Sequence, residues 1–244
     1  MATSKYFTVT VKPTIAASKQ KLGAFTGNDV LFNWTEFDIP KGAARLIGVT
    51  TLVRGTDGVA QEKAIDLMFA KTINGTAPSD IGTVHATAGG SGYQNHLIGA
   101  IRIDTSDYKD GLDIMSIASS GYGMANTQIP SHVLQGEPET GTNVGFDKLY
   151  IAATGAAFEF QSTVQVSTET ATNSSAVVVK TTSALTNFDK GDVLHDEDDQ
   201  LIGTVKSVTD ANNIVLEANA DSVSAVNKDL YNINPFTFIL SFER

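Results

Sequence analysis

The chain has 244 residues, 41% hydrophobic and 18% charged, a composition that is globular rather than disordered and long enough to bury a substantial core. It contains no cysteine, which excludes disulfides, thiolate metal sites and cysteine nucleophiles together. A net charge of −10 speaks against nucleic acid as a partner, and no run approaches the roughly 18 apolar residues of a membrane helix.

The predicted elements begin with a strand, because Phe7, Val9 and Val11 alternate with Thr8, Thr10 and Lys12 before Pro13 stops the ladder. Met1-Ala-Thr-Ser-Lys5 leads straight into it, a reading without a secretory leader and with synthesis in the cytosol. Val30 to Ile39 is the second strand. Arg45 to Arg54 and Ala64 to Ala70, joined by Gly55-Thr-Asp-Gly58, read as a hairpin, with strand preferred over helix for the second arm because Ile65, Leu67 and Phe69 keep a two-residue period.

Asn74 to Tyr93, rich in Gly, Thr, Ala and Ser, reads as a long surface loop. Leu97 to Ile103 and Leu149 to Ala153 resume strand character, and Tyr108 to Ile117 reads as a turn plus a strand. Gly121 to Gly145 reads as a second long loop, with a short helix near Ser131 to Gln135.

In Pro235-Phe-Thr-Phe-Ile-Leu-Ser-Phe-Glu-Arg244, residues Phe236, Phe238, Leu240 and Phe242 share one face, so this ribbon is predicted to pack into a sheet. Its predicted partner is Phe158 to Val166, where Phe158, Phe160, Val164 and Val166 follow the same period. The stretch between then reads as an insert. Ser162 to Asn234 carries 4 Lys against 11 Asp and Glu, whereas residues 1–161 carry 12 basic and 15 acidic groups.

Short strands at Ala176 to Lys180, Asp192 to Leu194, Leu201 to Val208 and Ile214 to Glu217 give the insert the spacing of a small barrel, with SH3-like grammar. The fold class is therefore all-β: a β body over 1–161 plus 235–244, with an inserted, acidic, β-barrel-like domain over 162–234.

No residue set in this pattern carries chemistry. Counted from Asp196, the acidic run Asp196-Glu-Asp-Asp199 has Leu201 sixth and Ser207 twelfth, where a calcium loop wants Gly and Glu. His85, His96, His132 and His195 stand far apart and form no zinc-type spacing. Gly89-Gly-Ser-Gly-Tyr93 puts Tyr where a nucleophile elbow needs Gly. Asp104 and Asp107 are an unremarkable exposed pair. We therefore expect no catalytic residue, cofactor or metal.

Two features point to assembly instead. Lys5, Lys12, Lys19 and Lys21 fall in 28 residues without an acid, and this basic arm either lies across a neighbouring subunit or is an edge strand guarded by lysine. Trp34, beside Phe32 and Phe37, is either an interface anchor or, the favoured use, core.

Leu46-Ile-Gly-Val-Thr-Thr-Leu-Val-Arg-Gly-Thr-Asp-Gly58, Ile65-Asp-Leu-Met-Phe-Ala-Lys71 and Thr76-Ala-Pro-Ser-Asp-Ile-Gly-Thr83, with Lys148-Leu-Tyr-Ile-Ala-Ala153 and Phe238-Ile-Leu-Ser-Phe242 downstream, resemble virion structural proteins of tailed bacteriophages. The insert lies outside the resemblance. What the resemblance implies is that the body is a jelly-roll-like antiparallel β-sandwich on the phage head, a capsid decoration or cement protein. Its implied partners are the major capsid protein and further copies of itself, a trimer being favoured. It implies location at the capsid surface after synthesis in host cytoplasm, with no nucleic acid or membrane partner. A tail, baseplate or receptor-binding protein recognising through the loops at 74–93 and 121–145 is the alternative, and a carbohydrate-binding module or glycosidase the third.

Overall fold

Strands with one apolar face gain most when two such faces are closed on each other. The computed structural model, which describes residues 5–40, 43–109, 114–121, 132–135, 148–180 and 184–244, closes them as two antiparallel sheets with a third alongside. The strands in chain order are β1 (Tyr6–Val11), β2 (Asp29–Asp38), β3 (Ala43–Arg54), β4 (Ile65–Lys71), β5 (Leu97–Ile103), β6 (Met115–Gly121), β7 (His132–Gln135) and β8 (Lys148–Gly155). After these come β9 (Ala176–Val178), β10 (Val193–Asp196), β11 (Leu201–Asp210), β12 (Asn213–Leu216), β13 (Leu230–Asn232) and β14 (Phe236–Glu243). Two single-turn helices, α1 (Ala17–Gln20) and α2 (Ala184–Asn187), and 3₁₀ turns at Gln94–His96 and Thr105–Asp107 complete the regular structure among the described residues.

The first sheet runs β1-β14-β3-β6, with β7 also on β3, and the second runs β2-β8-β4-β5. The chain passes repeatedly between them, which is how a jelly-roll-like sandwich is wound. The apolar ribbon is the centre of the arrangement: β14 lies between β1 and β3, and Phe236, Phe238, Leu240 and Phe242 are each 0% exposed. They meet the opposite sheet through Phe32, whose ring is 6.0 Å from Phe236 and 5.6 Å from Phe238, and through Phe37, 6.5 Å from Phe242. Burying each such ring contributes about 1.5–3 kcal/mol, which fixes the register of the ribbon as well as its face.

The predicted pairing of this ribbon with Phe158 to Val166 is not formed. Those residues are extended but belong to no strand, and they divide between two cores. Phe158 and Phe160 place their rings 5.2 and 5.3 Å from Phe236, edge on, while Val164 and Val166 enter the insert. A segment that changes cores within four residues keeps its two-residue period but cannot hold a ladder in either.

The predicted hairpin of Arg45–Arg54 with Ala64–Ala70 is also replaced, since β3 lies in the first sheet and β4 in the second. Its turn is real: Thr56 and Val59 exchange backbone hydrogen bonds, and Asp57 and Gly58 take positive φ of 52° and 77°. The chain uses it while crossing between layers. The short helix predicted near Ser131–Gln135 is instead strand β7, paired with Ala43–Leu46 of β3. Gly121 of the predicted 121–145 loop ends β6, and its residues 122–131 and 136–145 lie outside the described residues.

The 74–93 segment is more than surface loop. Isolated bridges join Val30 to Val84 and Asp29 to Thr87, and Ile81 is 0% exposed beside Val30 and Ala152. It folds over the outer face of β2, where its own backbone passes so closely that a Cβ on Gly90 would stand 2.2 Å from the Asp80 carbonyl oxygen.

The third sheet, β13-β10-β11-β12-β9, has its own buried cluster from Val164 to Leu230. It is an open sheet rather than the barrel expected. Among the described residues its two edges are connected through the 164–167 segment by isolated bridges, where Val166 N–H donates to Lys228 O and Ser167 N–H to Val178 O. Strands of three and four residues are too short to continue the pairing around a full ring.

Candidate functional site

The acidic groups singled out in the sequence have structural partners. In the acidic run, Asp196 Oδ1 accepts the backbone N–H groups of Asp198 and Gln200 at 3.0 and 3.1 Å, which caps the β10–β11 turn. Glu197 and Asp198 pair with Lys228 at 2.8 and 2.6 Å, and Asp199 Oδ1 accepts the N–H of Ser18 at 2.9 Å. The Lys228 ammonium holds the Asp198 carboxyl below its usual range, and the two carboxylates raise Lys228 in turn. Asp104 and Asp107 cap a 3₁₀ turn, with Arg102 on Asp104 at 2.7 Å.

The histidines are dispersed. A ring nitrogen of His85 lies 3.1 Å from Gly23 O, one of His96 lies 2.8 Å from Lys71 O, and one of His195 lies 3.0 Å from Asp199 O. His132 sits in β7. Among the described residues no three His, Asp or Glu are grouped as a metal site, and no helix is long and apolar enough to cross a membrane.

The four lysines of the N-terminal arm separate. Lys5 pairs with Glu243 at 2.6 Å across the β1–β14 ladder, and each shifts the other toward its charged form. Lys21 donates to Glu197 O at 3.1 Å, so the arm meets the acidic insert of its own chain. Lys12 and Lys19 keep side chains without a hydrogen-bond partner among the described residues. Trp34 is half-buried on the outer face of β2. Its indole N–H donates to Ser79 O at 2.8 Å, and its ring lies 6.2 Å from Tyr93, so the 74–93 segment covers it.

A second polar constellation, which sequence reasoning did not single out, lies at the junction of body and insert. Arg54, on the outward face of β3, gives both Asp192 oxygens a hydrogen bond from Nη2, at 2.7 and 2.9 Å. Asp189 N–H completes the Asp192 shell at 2.8 Å. Burial pushes the Asp192 carboxyl up, and the Arg54 charge works against that push. Nearby, Asp57 N–H donates to Asn187 Oδ1 at 3.0 Å while Asn187 Nδ2 returns a bond to Asp57 Oδ1 at 2.9 Å. Gln20, the buried last residue of α1, bonds Ile15 O and Asn232 O through Nε2 at 2.8 and 2.9 Å.

Beside the Arg54–Asp192 pair opens a cleft of about 200 Å³ whose walls come from Lys12 just past β1, from β3, the start of β6, the 189–192 turn and the entry to β14. The signal that could have located it was small: an arginine ending an apolar strand, and an aspartate in Asp189-Lys-Gly-Asp192 with no apparent role.

No family model matches this chain, and a search of curated proteins returns no match to it.

Proposed function

We propose that this chain is a non-enzymatic virion structural protein of a tailed bacteriophage, a capsid decoration protein that binds the head lattice and stabilises it. The observation that carries the reading is the two-layer antiparallel sandwich with its central β14, because four of the five blocks that resemble phage virion proteins, Leu46 to Gly58, Ile65 to Lys71, Lys148 to Ala153 and Phe238 to Phe242, hold strands of that sandwich, the fifth, Thr76 to Thr83, lying in the segment over β2. A second support is the use of polar residues. The acidic run, the Asp104–Asp107 pair and three histidines are occupied in turns, caps and backbone contacts, as befits a scaffold.

In this reading the sandwich is the base of the molecule and the acidic lobe, clamped at Arg54–Asp192, is carried at a defined angle. Electron cryo-microscopy and mass spectrometry of particles propagated from the phage encoding this chain test it. Regular density on the head at fixed copy number is the expected result. Absence of the chain from purified particles overturns the reading, and density confined to the tail or baseplate moves it to a receptor-binding or tail role.

A further inference from the structure

We propose that the cleft between body and insert binds a carboxylate flanked by apolar groups, as presented by an acidic, apolar peptide segment of a partner protein. The charge of the cleft runs against that of the chain. Its walls carry Lys12, Arg54 and Lys190 against Asp189 and Asp192, a formal +1 in a molecule of −10.

The carboxylates there are already engaged. Both Asp192 oxygens take Arg54 Nη2, one also takes Asp189 N–H, and Asp189 Oδ1 takes the backbone N–H of Lys190 at 2.7 Å. The ammonium groups are not: Lys12 and Lys190 are exposed, and neither side chain has a partner among the described residues. An ammonium offers three donors and no acceptor, so what the cleft lacks is an anion.

Lys12 belongs to the body, just past β1, and Lys190 to the insert, just before β10. A carboxylate between them therefore touches both parts of the molecule. Leu52, Ile114 and Met115 supply an apolar wall, with Ile114 43% exposed. A neighbouring apolar side chain would remove that wall from water, at roughly 25 cal/mol per Å² covered. The size selects the occupant: about 200 Å³ holds one or two side chains, below the roughly 300–1,000 Å³ of small-molecule sites. An anchor on a peptide fits these limits. The inference stands on the cleft alone and does not depend on the virion reading.

The test is a selection of random nine-residue peptides displayed on a library against the purified full chain, followed by fluorescence polarisation with the recovered peptides. Recovered sequences should carry Asp or Glu next to Leu, Ile, Val, Met or Phe. Affinity should fall at least about tenfold in K12E/K190E, which is about 1.4 kcal/mol, and by less in K12Q/K190Q. A peptide with Lys in place of its acid should lose binding to the unaltered chain. Both lysines are exposed and a thermal melt checks that the variants fold; if charge reversal impairs folding, K12Q/K190Q decides. Failure to enrich any sequence, or recovered peptides that bind K12E/K190E as well as the unaltered chain, overturns the proposal.

Discussion

Nine buried phenylalanines, from Phe25 to Phe242, meet inside the body among the described residues, whereas the buried cluster of the insert holds Phe188 alone among valines, leucines and isoleucines. The difference follows from strand length. β3 and β14, of 12 and 8 residues, offer faces broad enough for rings to stack and meet edge on, as Phe7 does on Phe242 and Phe158 on Phe236. In the insert β9, β10, β12 and β13 have 3 or 4 residues each, which suits compact branched side chains. The insert then leans on its turns: Asp196 caps one, and Asp210 accepts Asn212 N–H and Asn213 Nδ2 in another. Packing dominates one region, and local hydrogen bonding shares the burden in the other.

The sharpest way to break the comparison is Phe238→Ala, which removes a fully buried ring at the centre of the sandwich. It should lower stability by about 4 kcal/mol in denaturant unfolding, and protection from hydrogen exchange should fall throughout β1, β3 and β14. Leu194→Ala, equally buried but in the insert, should cost about 3 kcal/mol, with lost protection concentrated in β10, β11 and β13. If both variants reduce protection equally everywhere, the two cores unfold as one cooperative unit.

Arg54→Met probes what couples the regions. It leaves the Asp192 carboxylate buried without its charge partner, at about 2 kcal/mol near neutral pH, toward the low side for a broken buried pair because a fifth of the Arg54 side chain is exposed. The pH dependence has a definite sign. Burial already raises Asp192 in the intact protein, and losing Arg54 raises it further. A carboxyl with a folded-state pKa above its unfolded value contributes stability that is lost as pH rises through the folded value. The deficit of Arg54→Met should therefore shrink on acidification toward the ordinary aspartate range, as chemical melts from pH 4 to 7 would reveal. Lys228→Ala, in a solvent-screened pair, should leave the midpoint nearly unchanged, and the small effect it has should vanish in high salt.

Much of the fold could be read from period alone. The alternation of Phe236, Phe238, Leu240 and Phe242 gave the strand, the buried face and the need for a sheet. It could not give the neighbours, because β3 is nearly two hundred positions upstream and any apolar strand satisfies the same pattern. Arg45–Arg54 and Ile65–Ala70 show the converse error, where a sound turn motif invites a local hairpin and the layered packing separates its arms. In Phe158 to Val166 the period was true and its meaning was not, since one alternating stretch serves two cores. The junction was less legible still: Arg54 and Asp192 are 138 positions apart, and an outward-facing arginine has the same sequence signature whether it meets solvent or a carboxylate.

The crossing points of the insert have a consequence for how such a molecule can vary. Gln165 bridges Asp229, and Leu230 N–H donates to Val164 O at 2.9 Å, so the strands entering and leaving the lobe are fastened together at its neck. To the sandwich, everything from 162 to 234 therefore behaves as a tight turn whose ends are already held, and the entropy of closing that long excursion is met by the lobe itself. Such a neck is a natural exchange point. Any small module with adjoining ends could replace the lobe without disturbing the phenylalanine layers beneath it.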